Sequence, residues 1–266
     1  MTPRLATVGD NCIDHYLPPV NRRLVGGNAV NVAVNLVRLG QPCAYFGAVG
    51  DDEDGARTST VLARMGVDTA PLKVIRPGRT SLTVVATNAD GDRHFVSEDF
   101  GVCRGYRPDD EDMRRLETMR HVHLGWLDDE GSTKHALAAA GVSVSQDLSV
   151  NADPRNIAPD GLAIAFVSCD GDEEEARSVL NRTVEQGARL AVVMRGRRGS
   201  LAGAGGDVFK GAALLVGVRD TTGAGDSFIA GFISARAGGE PLAQCLAAGH
   251  AAAAHTCQIF GGFAQD

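Results

Sequence analysis

Aromatic side chains make up only 5% of this 266-residue chain, with a single tryptophan, and positive charge is in deficit. A formal net charge of −7 removes compositional support for general nucleic-acid binding. The short basic run "RGRRGS" at 195–200 reads as a solvated loop or a local anion contact. The six cysteines, at 12, 43, 103, 169, 245 and 257, form no C-x-x-C pair. Scattered along so long a chain, they suit reduced core thiols in a cytoplasmic protein rather than a disulfide framework. The opening "MTPRLATVGDN" lacks the apolar stretch of a secretory signal. No run approaches the ~20 apolar residues of a membrane span, so no membrane partner is expected. G-x-G-x-x-G is also missing after the first strand, which argues against a Rossmann oxidoreductase.

What is present is 44% hydrophobic residues, ample for one well-buried core across 1–266, a large domain with room for a small appendage. "LATVG" (5–9) reads as a buried strand, and "GNAVNVAVNLVRLG" puts Val30, Ala33, Val34 and Val37 on one helical face. "CAYFGAV" (43–49) is the next strand, with further strands expected at 121–125, 142–148, 163–169 and 190–194. Helices are expected near 108–118, 130–140 and 172–186. Strands alternating with helices imply an α/β fold with a mostly parallel central sheet and helices on both faces. Two stretches break the rhythm, 12–24 and 72–102, the second carrying a hairpin signal at Asp90-Gly91. Together they suggest a small inserted β-sheet that covers a site as a lid.

The chemistry concentrates in two glycine-rich stretches. In "DTTGAGDSFIAGF" (220–232), a helix starting near Asp226 would leave the N–H groups of Gly223, Ala224 and Gly225 facing outward as an anion site. A carboxylate beside an anion cup repels simple phosphate. It makes sense as the acceptor of a hydroxyl proton while the cup neutralises a transferring phosphoryl group. A helix cap after a glycine turn explains the same residues. Earlier, "GGNAVNVAV" opens a helix, so Gly26 and Gly27 let backbone approach a ligand while Asn28 and Asn31 present amides. Asp10 and Asp14 follow the first strand, where α/β sheets bind ligands. Asp with Asn brackets the hydroxyls of a polyol. Capping and ordinary loop acids are the alternative. His121 and His123, sharing one face of a strand, suit structural roles, and Trp126 suits packing more than stacking on a ligand.

These two segments, in this order, resemble the two signatures of the ribokinase-like, or PfkB, carbohydrate kinase family. Gly27, Asn31, Gly40 and Gly50 stand at the family spacing in the first, and the second is "DTTGAGDSFIAGFI". The resemblance spans essentially the whole chain. It implies a three-layer α/β/α fold with a small β-sheet lid, and transfer of the γ-phosphoryl group of ATP to a hydroxymethyl group of a sugar or nucleoside. It places Asp226 as catalytic base, and Gly223, Ala224 and Gly225 as anion hole. Asp10, Gly27 and Asn31 fall at sugar-binding positions. Met194, Gly196 and Gly199 fall beside the nucleotide, and Gly249 and His250 at the adenine pocket. Asp220 falls where the anion-hole loop is braced and where several members hold a monovalent cation such as K⁺. The family's N-x-x-E motif for Mg²⁺ is replaced by "SCDGDEEEA", where Asp172 with Glu175 aligns best, acting through water; Asp170 with Glu173 is the other alignment, and an acidic first turn of a helix accounts for the same residues.

Within the family, "LATVGDNCIDHY", "GGNAVNVAV" and "GDSFIAGF" are most similar to fructoselysine 6-kinases, which phosphorylate sugars joined through C1 to an amino-acid amine. The lid residues Arg93, His94 and Glu98 are candidates for contacts beyond the sugar. A homodimer paired through the lid is implied as well. The competing expectations are another specificity in the family (fructokinase, ketodeoxygluconate kinase or nucleoside kinase) and a non-catalytic sugar- or nucleotide-binding regulator.

Overall fold

The computed structural model describes residues 4–87 and 93–265. From the N-terminus come β1 (Leu5–Val8), β2 (Cys12–Tyr16), β3 (Arg22–Gly26), α1 (Asn28–Arg38), β4 (Cys43–Phe46), β5 (Ala48–Gly50) and α2 (Glu53–Arg64). The middle carries β6 (Lys73–Ile75), β7 (Leu82–Thr87), β8 (Arg93–Asp99), α3 (Asp110–Leu116), β9 (His121–Leu124), α4 (Ser132–Ala139) and β10 (Ser143–Asp147). The last part holds β11 (Ile164–Ser168), α5 (Glu173–Glu185), β12 (Ala191–Met194), β13 (Ser200–Gly203), β14 (Val208–Gly211), α6 (Ala224–Ala237) and α7 (Leu242–Thr256). Aspartates set several helix starts. Asp52, Asp109 and Asp172 each accept backbone N–H groups from the first turn of α2, α3 and α5, satisfying donors that have no partner within the helix.

Eight strands make one sheet in the order β14-β13-β12-β11-β10-β9-β1-β4. Those from β4 to β12 run parallel, and β13 and β14 add an antiparallel edge. Successive side chains of a strand face opposite sides. Val192 and Met194 therefore join a core with residues of α1, α6 and α7, while Ala191 and Val193 pack with Ala176 and Leu180 of α5. Val122 and Val144 pack with Leu116 and Leu137 of α3 and α4. This is the three-layer α/β/α arrangement expected from the alternation of strands and helices.

A second sheet, in the order β3-β2-β7-β8, is inserted between β1 and α1 and again ahead of α3. Its strands use part of the expected lid segments. β6, which falls within 72–102, pairs instead with β5 in a separate two-stranded sheet. The stretch "CAYFGAV" is accordingly two strands rather than one. It breaks at Gly47, where an added Cβ would sit 2.1 Å from the Tyr45 hydroxyl, and only β4 stays in the large sheet. The turn expected at Asp90-Gly91 lies outside the described residues. All six cysteines are free thiols, and among the described residues no helix is long and apolar enough to cross a membrane.

Behind the parallel sheet, α6 and α7 approach each other closely. A Cβ on Gly231 would come within 2.5 Å of the Ala248 carbonyl oxygen and 3.0 Å of the Ala252 Cβ. Neither obstacle is the end of a flexible side chain, so the helices themselves would have to separate. Gly231→Val is expected to lower stability by about 1–3 kcal/mol, read as a lower urea midpoint at unchanged m-value.

Candidate active site

The sheet order reverses at β1, which has β4 on one side and β9 on the other. Crevices at the carboxyl ends of strands beside such a reversal are where open α/β sheets bind ligands. Asp10 stands there, just past β1. Its carboxylate accepts the backbone N–H groups of Asn28 (2.7 Å), Ala29 (3.2 Å) and Trp126 (3.1 Å). It thus ties the end of β9 to the start of α1, whose N-cap residue, Gly27, has no side chain to do so. Gly27 is required on two counts. Its φ is +105, and a Cβ would sit 2.5 Å from the Asn11 Cα. Any other residue would push the start of α1 away from Asn11, in the segment that follows β1.

α6 starts at Ala224, earlier than the start near Asp226 expected from sequence, with Gly223 as an N-cap at φ +72 and no capping side chain. A Cβ at Gly223 would meet the Gly262 Cα at 2.4 Å and Asn31 Nδ2 at 3.3 Å, so this glycine lets α6 begin against α1. The expected cup is consequently altered. The Ala224 N–H donates back to the Thr221 carbonyl at 3.1 Å, leaving the following backbone to face outward. Gly225 is exposed, and beyond its own helix the nearest atom to an added Cβ is Met194 Cε at 4.0 Å. Asp226, in the same first turn, is held by two amides: Asn28 Nδ2 donates to Oδ1 at 2.6 Å and Asn31 Nδ2 to Oδ2 at 2.7 Å.

Asp226 does not stand alone. The second donor of Asn28 is shared with Asp147 Oδ2 at 3.2 Å, and Asp14 accepts the Cys12 thiol at 3.3 Å. Removal from water raises all of these carboxyls. Asp226 is pushed up to about 8 by desolvation, with the charges of Asp147 and Asp10 adding and the asparagine amides opposing. Asp14 rises to about 7 and Asp147 to about 6, again mainly through desolvation. Asp10 is raised by burial against the pull of its backbone donors. Asp147 escaped the sequence reading, although its place at the end of β10, in "SVSQD", is the same strand-end signal that marked Asp10.

These groups surround a cleft of about 520 Å³, with Asp10, Asp14, Asn28, Asn31, Gly223 and Asp226 among its lining and the lid sheet as one wall. Phe100 and Trp126 stack at 4.1 Å on one side of it. Trp126 therefore both packs and lines the cleft. Gly26 lies behind Asp14, where a Cβ would come within 2.3 Å of Asp14 Oδ2. A second cavity of about 560 Å³ opens at the far end of the sheet around Leu5, His121 and Arg189 and contains none of these residues. His121 and His123 share the Ser145 hydroxyl, at 2.8 and 2.9 Å, in keeping with structural roles.

The positions expected to face a nucleotide separate into two groups. Gly196, at φ +53, opens onto free space, as Gly225 does, and Met194 is buried beneath Gly225. Gly199 and Gly249 are instead close-packing positions, against the Gly211 carbonyl oxygen (2.2 Å) and the Phe228 ring (2.8 Å). His250 is buried, with Nε2 at 2.8 Å from the Ser200 hydroxyl and its ring edge-on to Phe228. It shapes the surface from behind. Asp220, fully buried, accepts the Tyr16 hydroxyl (2.9 Å) and the backbone N–H groups of Thr222 (2.7 Å) and Gly261 (2.8 Å). It braces the turn ahead of α6 against the lid and the C-terminal loop.

Among the acidic residues at 170–175, Asp172 caps α5 through the Glu175 N–H at 2.9 Å. Glu173 is engaged by Arg177 (3.1 Å) and Lys210 (2.6 Å). Glu175 is exposed and folds over Gly171. No group of three or more metal-ligating side chains occurs among the described residues. That donor set suits Mg²⁺, which keeps its waters and takes one or two carboxylates alongside phosphate oxygens, with Glu175 less committed than Asp172. Of the lid candidates, Glu98 lines the cleft; the side chains of Arg93 and His94 lie outside the described set.

The sequence matches the model of the pfkB family carbohydrate kinases over residues 17–140 and 159–264. It is 37% identical to the fructoselysine 6-kinase of Escherichia coli (strain K12), across 97% of this chain and 99% of that protein. The fructosamine kinase FrlD of Bacillus subtilis (strain 168) is 30% identical, across 98% of this chain and 93% of that protein. Among solved structures, Arabidopsis thaliana ribokinase complexed with ribose and ATP superposes with a TM-score of 0.87, at 23% identity, covering 98% of this chain and 94% of that one. The fold, the length and the relatives agree: this chain belongs to the pfkB family of carbohydrate kinases.

Proposed function

We propose that this kinase transfers the γ-phosphoryl group of ATP to the primary hydroxyl, O6, of fructoselysine or a related fructosyl amino acid. The observation that carries the chemistry is Asp226, held between Asn28 and Asn31 in the uncapped first turn of α6. The relatives named fructoselysine 6-kinase and fructosamine kinase support the acceptor. Asp10, Asp14, Gly27, Asn28 and Asn31 take the sugar, and Gly26 leaves room behind the Asp14 carboxylate. Asp226 accepts the proton of the primary hydroxyl as its oxygen bonds to the γ-phosphorus, and the bond to the ADP oxygen breaks. The backbone N–H groups of Gly223 and Gly225, with the positive end of α6, meet the charge that develops on the transferring group, the Ala224 N–H being held by Thr221. The nucleotide runs along the open backbone at Gly196 and Gly225, on a surface shaped by Met194, Gly199, Gly249 and His250, with Asp220 fixing the turn.

Asp172 and Glu175 are the residues that would hold Mg²⁺ through its waters, and the ion would supply charge neutralisation on the phosphates. A monovalent cation such as K⁺ beside Asp220 would help hold the same turn that this carboxylate braces through three donors, and no step is routed through it. The lid closes over the sugar and excludes water that would otherwise hydrolyse ATP. In a homodimer, lids would pair through the β8 edge, where Phe95 and Val96 are 61% and 54% exposed.

Asp226→Asn keeps the shape and one of the two amide contacts, because its Nδ2 cannot accept from a second asparagine amide, and it has no basicity. Turnover should fall at least ~100-fold while calorimetry still shows ATP and sugar binding; near-normal turnover would remove Asp226 from the role of base. The same variant should gain stability. With its pKa raised to about 8, Asp226 stays protonated in the folded chain at pH values where the unfolded chain has lost the proton. Wild-type stability therefore falls as pH rises from the ordinary carboxyl range toward 8, and the gain in Tm should be largest at pH 8 and above.

A base must be ionised, so kcat/KM should climb with pH, reach half its maximum at about 8 and level off above that. Asp14 and Asp147 titrate just below, so the limb belongs to the group of carboxyls. Asn31→Ala assigns it. The Asn31 amide donates to Asp226, and losing that stabilisation of the anion should move the limb to higher pH. A limb that stays in place assigns it to a different carboxyl.

The acceptor is decided by ADP release with Mg-ATP and a panel of fructosyl amino acids, fructose, ribose, ketodeoxygluconate and adenosine. Preference for a fructosyl amino acid is expected. Preference for a plain sugar or nucleoside would keep the mechanism and discard the substrate, and ATP and sugar binding without turnover would favour a non-catalytic regulator.

A further inference from the structure

Three side chains fall in one row across the lid. Asp14 of β2 pairs with Thr83 of β7, and Thr83 pairs with Glu98 of β8. All three line the cleft, so the row faces the bound sugar. Asp10 and Asp226 line the cleft from the floor, and none of its described lining residues is lysine, arginine or histidine. Four carboxyl groups thus share one cleft with no countercharge among its described lining residues. The donors given to the floor pair are backbone N–H groups and amides, which carry no net charge. Asp14 receives a thiol, a weak donor. Among the described residues Glu98 has no ion-pair partner. Phe95, Phe100 and Trp126 line the same cleft, and aromatic faces attract cations and repel anions.

A wall of this composition is poorly made for a neutral sugar alone and well made for a cationic one. Resting on the kinase reading above, we infer that the lid row is an ammonium subsite. Glu98 takes the protonated amine on C1 of the sugar, Asp14 adds its charge while holding the sugar, and the cleft does not read the amino-acid carboxylate beyond. That carboxylate would find no cation in the described lining and would meet like charges, so it projects to water. The substrate class is then the 1-amino-1-deoxyketohexoses. The ammonium is the feature recognised, and the group carried on the nitrogen is left unread.

The test uses the full chain, with calorimetric binding and initial rates in Mg-ATP, on fructose, 1-deoxy-1-methylamino-fructose and fructoselysine. The methylamino sugar should rival fructoselysine, and fructose should bind at least about tenfold more weakly than either. Glu98→Gln should lower the kcat/KM ratio of methylamino sugar over fructose about tenfold, with an unchanged urea midpoint. Equal binding of fructose and the methylamino sugar, or a ratio that Glu98→Gln leaves unmoved, would overturn the subsite and leave the kinase reading intact. A preference of more than about 100-fold for fructoselysine over the methylamino sugar would overturn the claim that the carboxylate goes unread. If no sugar is phosphorylated, the kinase reading for these acceptors fails; the calorimetry needs no turnover and still decides whether the amine is recognised.

Discussion

Two asparagine amides holding one aspartate are the contact on which the site depends. Asn28 and Asn31 come from the first turn of α1, and Asp226 from the first turn of α6. The contact exists because both helices begin at glycines, Gly27 and Gly223, where a Cβ would strike neighbouring backbone. A side chain at Gly27 would displace the start of α1 from Asn11, and one at Gly223 would displace the start of α6 from Gly262. The carboxylate would then lose its amides before any ligand contact was disturbed. The small residues before Asp226 differ in what they permit: Gly223 lets α6 begin against the C-terminal loop, and Gly225 leaves bare backbone exposed beside the carboxylate.

The choice of amides has an electrostatic logic. An arginine beside Asp226 would also hold it in place, but would push its pKa far down and weaken it as a proton acceptor. Amides orient the carboxylate without neutralising it. Burial then works in the other direction, raising Asp226, Asp14 and Asp147 together. The free site consequently holds its negative charge with difficulty, a cost in stability that is relieved when a ligand brings protons or positive charge. Strained electrostatics of this kind are typical of sites built for chemistry rather than for folding.

Much of this was legible in the sequence, and the failures have physical causes. Period and glycine punctuation located the alternating strands and helices, and the stretch before Asp226 announced an open helix start. Ala224 shows the limit. Side-chain size suggested three free N–H groups, but the turn itself recruits one of them to Thr221, and no property of alanine signals that. Gly199 and Gly249 read as ligand glycines yet are needed for packing, because a single sequence does not distinguish backbone bared to a ligand from backbone bared to a neighbouring helix. "CAYFGAV" looked continuous in hydrophobicity. The break at Gly47 comes from a tyrosine hydroxyl two residues earlier, whose bond to the Gly9 carbonyl is a tertiary event. Asp147 was missed for a different reason. Its strand end was identified, but no glycine turn beside it drew attention to the carboxylate.

The division between the two sheets separates chemistry from selection. Asp226 and its amides sit on helix starts anchored to the eight-stranded sheet, where large cores meet on both faces. Glu98 and Thr83 sit on the lid, whose own cluster of buried apolar residues is only Tyr16, Leu24 and Val85. Inner-face residues of β7 and β8 such as Thr83 and Glu98 can be exchanged with little effect on the large core, whereas Ile13, Val25 and Tyr16 tie the lid to that core and to the turn ahead of α6. Asp14 and Asp220 are the two places where the layers communicate. Asp14 carries lid charge into the cleft, and Asp220 bonds Tyr16 of the lid to the turn ahead of the base. In the proposed mechanism, movement of the lid would reach Asp226 through Tyr16 and Asp220 as well as through the substrate. That places the bond from Tyr16 to Asp220 where binding of the sugar and readiness of the anion site can be joined.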